Sequence, residues 1–197
     1  PPIGKIDPQP WHSGLAWSLG LVVVSRLLLL LLAPLAEPNK RANFLDDSVH
    51  GYYWHSSRER PYYEITPNIY LDMWARSDSW QYLDIAENGY YLESGPGGFG
   101  TVACFPLYPL LIRFLAKFAG GHFFSVALAI STLATWGAST LLYRLAAGWR
   151  NENAARLVTL GLFSFPSAFF LTTVFPHALF LLLCIACLMA AERDRFL

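Results

Sequence analysis

Charge is what this sequence has least of: 14% of its residues are Asp, Glu, Lys or Arg, against about 25% in soluble domains. What charge there is cancels, 14 bases against 14 acids. With no Lys/Arg-rich run either, nothing in the bulk electrostatics points to a nucleic acid partner. Cysteine is almost as scarce. Cys104, Cys184 and Cys187 cannot make a disulfide framework. The C-x-x-C of the last two lies within Leu-Leu-Leu-Cys-Ile-Ala-Cys-Leu, where packing in an apolar helix is the expected use. The glycine-rich stretch Glu93-Ser-Gly-Pro-Gly-Gly-Phe-Gly lacks the Lys-Ser/Thr of a phosphate-binding loop and reads as a turn-rich connector. Asp46, Asp47, His50 and His55 carry metal-ligand side chains, but their spacing matches no specific site, so neither metal nor cofactor is expected.

Apolar side chains fill the space that charge leaves, with 54% hydrophobic and 16% aromatic residues. This is a membrane-protein composition, and it makes lipids and their headgroups the expected surroundings. The first residues, Pro-Pro-Ile-Gly-Lys-Ile-Asp-Pro, read as a short disordered tail. Residues 14–36 follow, long enough to cross a hydrocarbon core of about 30 Å. They exceed the apolar region of a signal peptide and have no small-residue cleavage site after them, so they read as a retained span. Three further stretches, 122–143, about 155–173 and 176–191, each read as crossings. Residues 101–119, interrupted by Pro106, Pro109, Arg113 and Lys117, read instead as a re-entrant or interfacial helix. The expected fold is all-α and multi-pass. Arg26, near the middle of the first span, costs about 2.5–3.5 kcal/mol at that depth and requires a partner. That partner is either a lipid phosphate or site carboxylate, or a structural contact with another helix.

Between the first two apolar regions lies a polar segment, 37–100, holding ten acids against five bases, whereas from residue 101 onward seven bases face three acids. Lys and Arg mark cytoplasmic loops, so the acidic segment is expected outside and the later basic loops inside. Parity agrees if 101–119 do not cross. The segment's aromatic clusters, Tyr52-Tyr53-Trp54 and Tyr62-Tyr63, suit an interfacial belt, with sugar stacking as the alternative.

The most informative stretch is 74–109. If residues 78–88 are helical, Asp78, Tyr82, Ile85, Ala86 and Gly89 share one face, with the carboxylate at its N-terminal rim. Asp78 suits the N-cap, with Gln81 three residues on completing a capping-box-like pair. Capping leaves catalysis open. The series Asp78, Ser79, Trp80, Tyr82, Ile85, Ala86, Gly89, Tyr90, followed about fifteen residues later by Phe105 through Pro109, resembles the first extracytoplasmic loop of the PIG-V family of mannosyltransferases. A second resemblance runs through Phe165, Pro166, Ala168, Phe169, Phe170, Leu179 and Phe180. There this chain has His177 where the family carries an acidic residue, and Ser77 stands where a Trp usually precedes the Asp.

That resemblance implies an integral-membrane glycosyltransferase of the GT-C fold, with residues 1–197 as one such domain. It would move mannose or a related hexose from a polyprenyl-phosphate donor to an extracytoplasmic glycolipid or glycan acceptor. The setting would be a bacterial plasma membrane or the endoplasmic reticulum. Such enzymes carry more spans than fit here, so the chain is expected to be an N-terminal portion, and a membrane-protein partner subunit is conceivable. Asp78 is the implied catalytic base. Arg26, Arg76, Trp80, Tyr82, Arg113 and His177 are the substrate-binding candidates, the cations and His177 toward the departing phosphate. The competing expectation is a catalytically inert membrane scaffold of the same fold, favoured by His177 in place of the acid.

Overall fold

The computed structural model describes residues 11–44, 69–75, 78–91 and 101–192. Arg76, Ser77, the N-terminal tail, the Asp46/Asp47/His50/His55 group, both aromatic clusters and the glycine-rich connector lie outside the described residues. The described chain is helical, without a strand. In order it forms α1 (Trp11–Phe44), α2 (Ile69–Asp72), α3 (Ser79–Asn88), a 3-10 turn (Thr101–Ala103), α4 (Leu107–Ala116) and α5 (Phe123–Trp149). After α5 come α6 (Glu152–Ser164), a 3-10 turn (Pro166–Ala168), α7 (Phe169–Thr172) and α8 (His177–Glu192). It divides into two compact units, Pro1–Leu27 with Leu128–Leu197, and Leu28–Ala127.

Among the described residues two helices are long and apolar enough to cross a membrane alone, His12–Leu35 within α1 and Phe123–Trp149. The outer side of α1 remains exposed from Leu19 to Leu35, a surface that suits hydrocarbon and not water. Both helices outrun their expected bounds. Helix α1 continues to Phe44 into the segment expected to be loop, and α5 runs on to Trp149. The stretch expected to cross at about 155–173 is bent. It is broken at Phe165–Pro166, where α6 and the Pro166–Thr172 segment meet at 79°. Pro166 brings no N–H to the helical ladder, and the residue before a proline is driven out of the α region; Phe165 is accordingly extended, φ −76°, ψ 135°. Helix α8, 16 residues, rises only about 24 Å.

In the first unit, small residues let the helices approach. A Cβ at Gly14 would meet Tyr143 Cδ1 at 3.0 Å, and one at Gly137 would meet Leu182 Cδ1 at 3.2 Å. Indole N–H groups tie α1 to its neighbours, Trp136 donating to the Leu15 carbonyl at 3.1 Å and Trp17 to Thr159 Oγ1 at 2.9 Å. Ala138, Leu145, Ile185 and Met189 form the apolar seam between α5 and α8. At the far end Trp149 Nε1 donates to Glu192 Oε1 at 2.6 Å, so α5 and α8 finish side by side. The Asn151 side chain caps α6 by accepting from the Ala154 N–H at 2.9 Å. Arg156, which pairs with Glu152 at 3.6 Å, lies over the Trp17 ring.

The turn joining α7 to α8 is irregular backbone, and Thr172 to Phe175 are buried. Such backbone is tolerated at membrane depth only where protein supplies its hydrogen bonds. Helix α5 supplies them from one stripe, Ser131 Oγ donating to the Phe175 carbonyl at 3.3 Å and Thr135 Oγ1 sharing its one proton between the Leu171 carbonyl and the Ser131 carbonyl of its own helix. From α1, Arg26 Nη2 donates to the Thr172 carbonyl at 3.0 Å and to Thr132 Oγ1 at 2.7 Å. A hydroxyl and a carbonyl of neighbouring helices are thus among the partners of Arg26.

In the second unit α3 packs on α4. Ile85 and Ala86 of α3, with Tyr108, Pro109, Ile112 and Ala116 of α4, are buried. Helix α4 spans only 10 residues, about 15 Å or half a hydrocarbon core, so it does not cross alone. Its other side, with Leu107, Leu110 and Phe114, is apolar and exposed.

Candidate functional site

The stretch that carries the family-like pattern is brought together in the second unit. Its two halves, 78–91 and 101–109, flank the glycine-rich connector, and the connector's ends are tied. Thr101 N donates to the Tyr91 carbonyl at 3.2 Å, and Tyr91 N donates to Thr101 Oγ1 at 3.1 Å. This closure lays Cys104-Phe-Pro-Leu-Tyr-Pro109 along α3. Tyr90 Oη donates to the Cys104 carbonyl at 2.8 Å, and the Cys104 thiol donates to Gln81 Oε1 at 3.3 Å. The Tyr82 hydroxyl bonds the same sulfur, and its ring meets Tyr108 edge-on with centroids 5.7 Å apart. Tyr108 is locked in turn, its hydroxyl donating to the Ala127 carbonyl at 3.1 Å.

Asp78 stands at the open end of this arrangement. It occupies the N-cap of α3, but φ −73° and ψ 4° are not the extended values of a capping residue, and among the described residues its carboxylate makes no capping hydrogen bond. The expected capping box is corrected. Gln81 is drawn instead to Cys104, a partner 23 residues away in sequence. Asp78 is exposed.

Electrostatics in the cluster favours neutral partners around that one anion. Burial, then Cys104 and then the Asp78 charge push the Tyr82 hydroxyl up to about 12. Burial, followed by Asp78, raises the Cys104 thiol as well, and the Tyr82 hydrogen bond only partly offsets this. Tyr82 therefore keeps its proton at physiological pH and acts as a donor, and Cys104 remains a thiol and a poor nucleophile.

The remaining candidates fall in different places. Trp80 lies on α3, partly buried, two residues from Asp78. Arg113 reaches the other end of that helix, Nη2 lying 3.5 Å from the Glu87 carbonyl, about 13 Å along the axis from Asp78. There it complements the negative end of the helix dipole. Arg26 and His177 belong to the other compact unit. His177 opens α8, exposed, with its ring 5.4 Å from that of Phe175 and 5.7 Å from that of Phe170. Arg76 lies outside the described residues. Comparison with family models, with curated proteins and with solved structures gave no match.

Sequence reasoning missed Cys104 as the hub of the cluster and the Ser131/Thr132/Thr135 stripe. The stripe's i, i+1, i+4 spacing was visible, but its purpose depends on a break 36 to 44 residues further on. Asp72, counted only among the acids of the segment, is completely buried.

Proposed function

We propose that the protein is a multi-pass membrane glycosyltransferase resembling the PIG-V family and the GT-C fold. It transfers mannose or a related hexose from a polyprenyl-phosphate donor to an extracytoplasmic glycolipid or glycan acceptor. The observation that carries this reading is the closure of residues 101–109 onto α3, whose N-terminal end bears the exposed, uncapped Asp78. Asp78 takes the proton from the acceptor hydroxyl. That oxygen attacks the anomeric carbon, and the bond from carbon to phosphate oxygen breaks with inversion, leaving polyprenyl phosphate. Tyr82, held protonated, and Trp80 line the approach to the base. The departing phosphate calls for positive charge or hydrogen-bond donors, and Arg76, Arg113 and His177 are the candidates that the resemblance offers for it.

The short α4, with its apolar outer side, suits a site at the bilayer boundary where a lipid-linked donor and a water-borne acceptor meet. The side-by-side ends of α5 and α8 bring the α5–α6 junction, with Arg150, beside the end of α8, which suits a cytoplasmic face; the acidic balance of segment 37–100 separately suits the outside.

Asp78→Asn tests the reading, since it keeps the side chain's shape and removes the base. In membranes supplied with polyprenyl-phosphate mannose, transfer should drop on the order of 10²–10⁴-fold, and wild-type turnover in that variant would falsify the role of Asp78. A second reading, an inert scaffold of the same architecture, is favoured by the engagement of Arg26 with protein acceptors. It expects no transfer by the unmodified protein.

A further inference from the structure

The buried turn between α7 and α8 ends on His177, and three side chains from other helices grip its carbonyls: Arg26 at Thr172, Ser131 at Phe175 and Thr135 at Leu171. Arg26 stands out because a single nitrogen, Nη2, donates both to that carbonyl and to the Thr132 hydroxyl. Thr132 Oγ1 spends its own proton on the Leu128 carbonyl, so toward Arg26 it acts as an acceptor. Both of these acceptors belong to protein helices. Beyond the turn the His177 ring leans on Phe170 and Phe175, the second of which carries the carbonyl gripped by Ser131.

We propose that Arg26 is a positioning residue: with Ser131, Thr132 and Thr135 it clamps the Leu171–Phe175 turn and thereby fixes His177, which meets the donor's phosphate in its place. The clamp rests on the geometry alone; the part played by His177 rests on the transferase reading above.

Two measurements on the full chain in membranes separate these layers. Val174 has no exposed surface, so in a background carrying C104A, C184A and C187A, V174C should resist a water-soluble maleimide. Adding R26Q, or the milder pair S131A and T135V where R26Q fails to fold, should raise its labelling several-fold, with R26K intermediate. Continued protection of V174C in the clamp variants overturns the proposal. The second measurement is a double-mutant cycle in the transfer assay. R26Q should lower kcat, with little change in KM for the donor, by on the order of a hundredfold, as expected for a misplaced group. It should cost little more once H177A is present, because both substitutions remove the same contact. Independent, multiplicative losses, or a loss confined to KM, overturn the proposal in favour of direct donor binding by Arg26. If the unmodified chain transfers no sugar the transferase reading falls, and V174C labelling still decides for or against the clamp.

Discussion

Tyr82 shows how one side chain records its surroundings. Its hydroxyl is pushed from an ordinary 10.0 to about 12 by burial first, then by Cys104 and Asp78. Below the ordinary value both folded and unfolded chains keep the proton. Between the two values the unfolded chain loses it first, so the stabilisation contributed by Tyr82 disappears as pH rises from about 10 to about 12. Thermal unfolding of wild type and Tyr82→Phe in detergent, from neutral pH to the top of that window, should show a wild-type advantage that shrinks across it. A difference independent of pH overturns this, since the other tyrosines titrate in both proteins and cancel. At this scale the sequence was half legible. The shared face of Asp78, Tyr82, Ile85 and Ala86 follows from helical periodicity and is found, with Ile85 and Ala86 buried. The fate of Gln81 was not legible, because a local capping pattern carries no information about a sulfur that only loop closure brings near.

Helix ends, as elements, are set by backbone conformations that few residues tolerate. Helix α3 stops at Gly89, φ 93° and ψ −179°, in a region essentially reserved for glycine and costing other residues about 1–3 kcal/mol. A Cβ there would meet Arg113 Nη1 at an ordinary 3.9 Å, so the penalty of Gly89→Ala is one of backbone and not of space. The variant should lower the thermal midpoint by that order, and an unchanged midpoint counts against it. The long apolar helices were readable from run length alone, and α1 and α5 contain them. The bend in the third run does not follow from run length, because hydropathy sums side chains and is blind to backbone groups. What makes the break tolerable is the hydroxyl stripe of α5, whose Ser and Thr residues blend into an apolar run. Cys184 and Cys187 lie in α8 as expected but on its exposed side, so their sulfurs do not contribute to the seam with α5.

At the scale of the molecule, charge bias was legible in the sequence, and the paired helix ends allow a separate test of sidedness. The Trp149–Glu192 hydrogen bond requires the α5–α6 junction and the end of α8 to emerge on one side. R150C and A191C, in a chain stripped of its native cysteines, should therefore react with an impermeant thiol reagent from the same face of sealed vesicles. Labelling from opposite faces sinks that arrangement. The Arg26 clamp also has a consequence for how the chain is made. Its acceptors, Thr132 and Thr172, are encoded 106 and 146 residues after it; at about 5–20 residues per second, α1 waits roughly 5–30 s before either is synthesised and inserted. During that interval a guanidinium sits in the middle of an apolar segment without these two acceptors. Biogenesis must therefore keep this first helix beside the insertion machinery, or leave a thread of water around the charge, until the later hairpin arrives to relieve it.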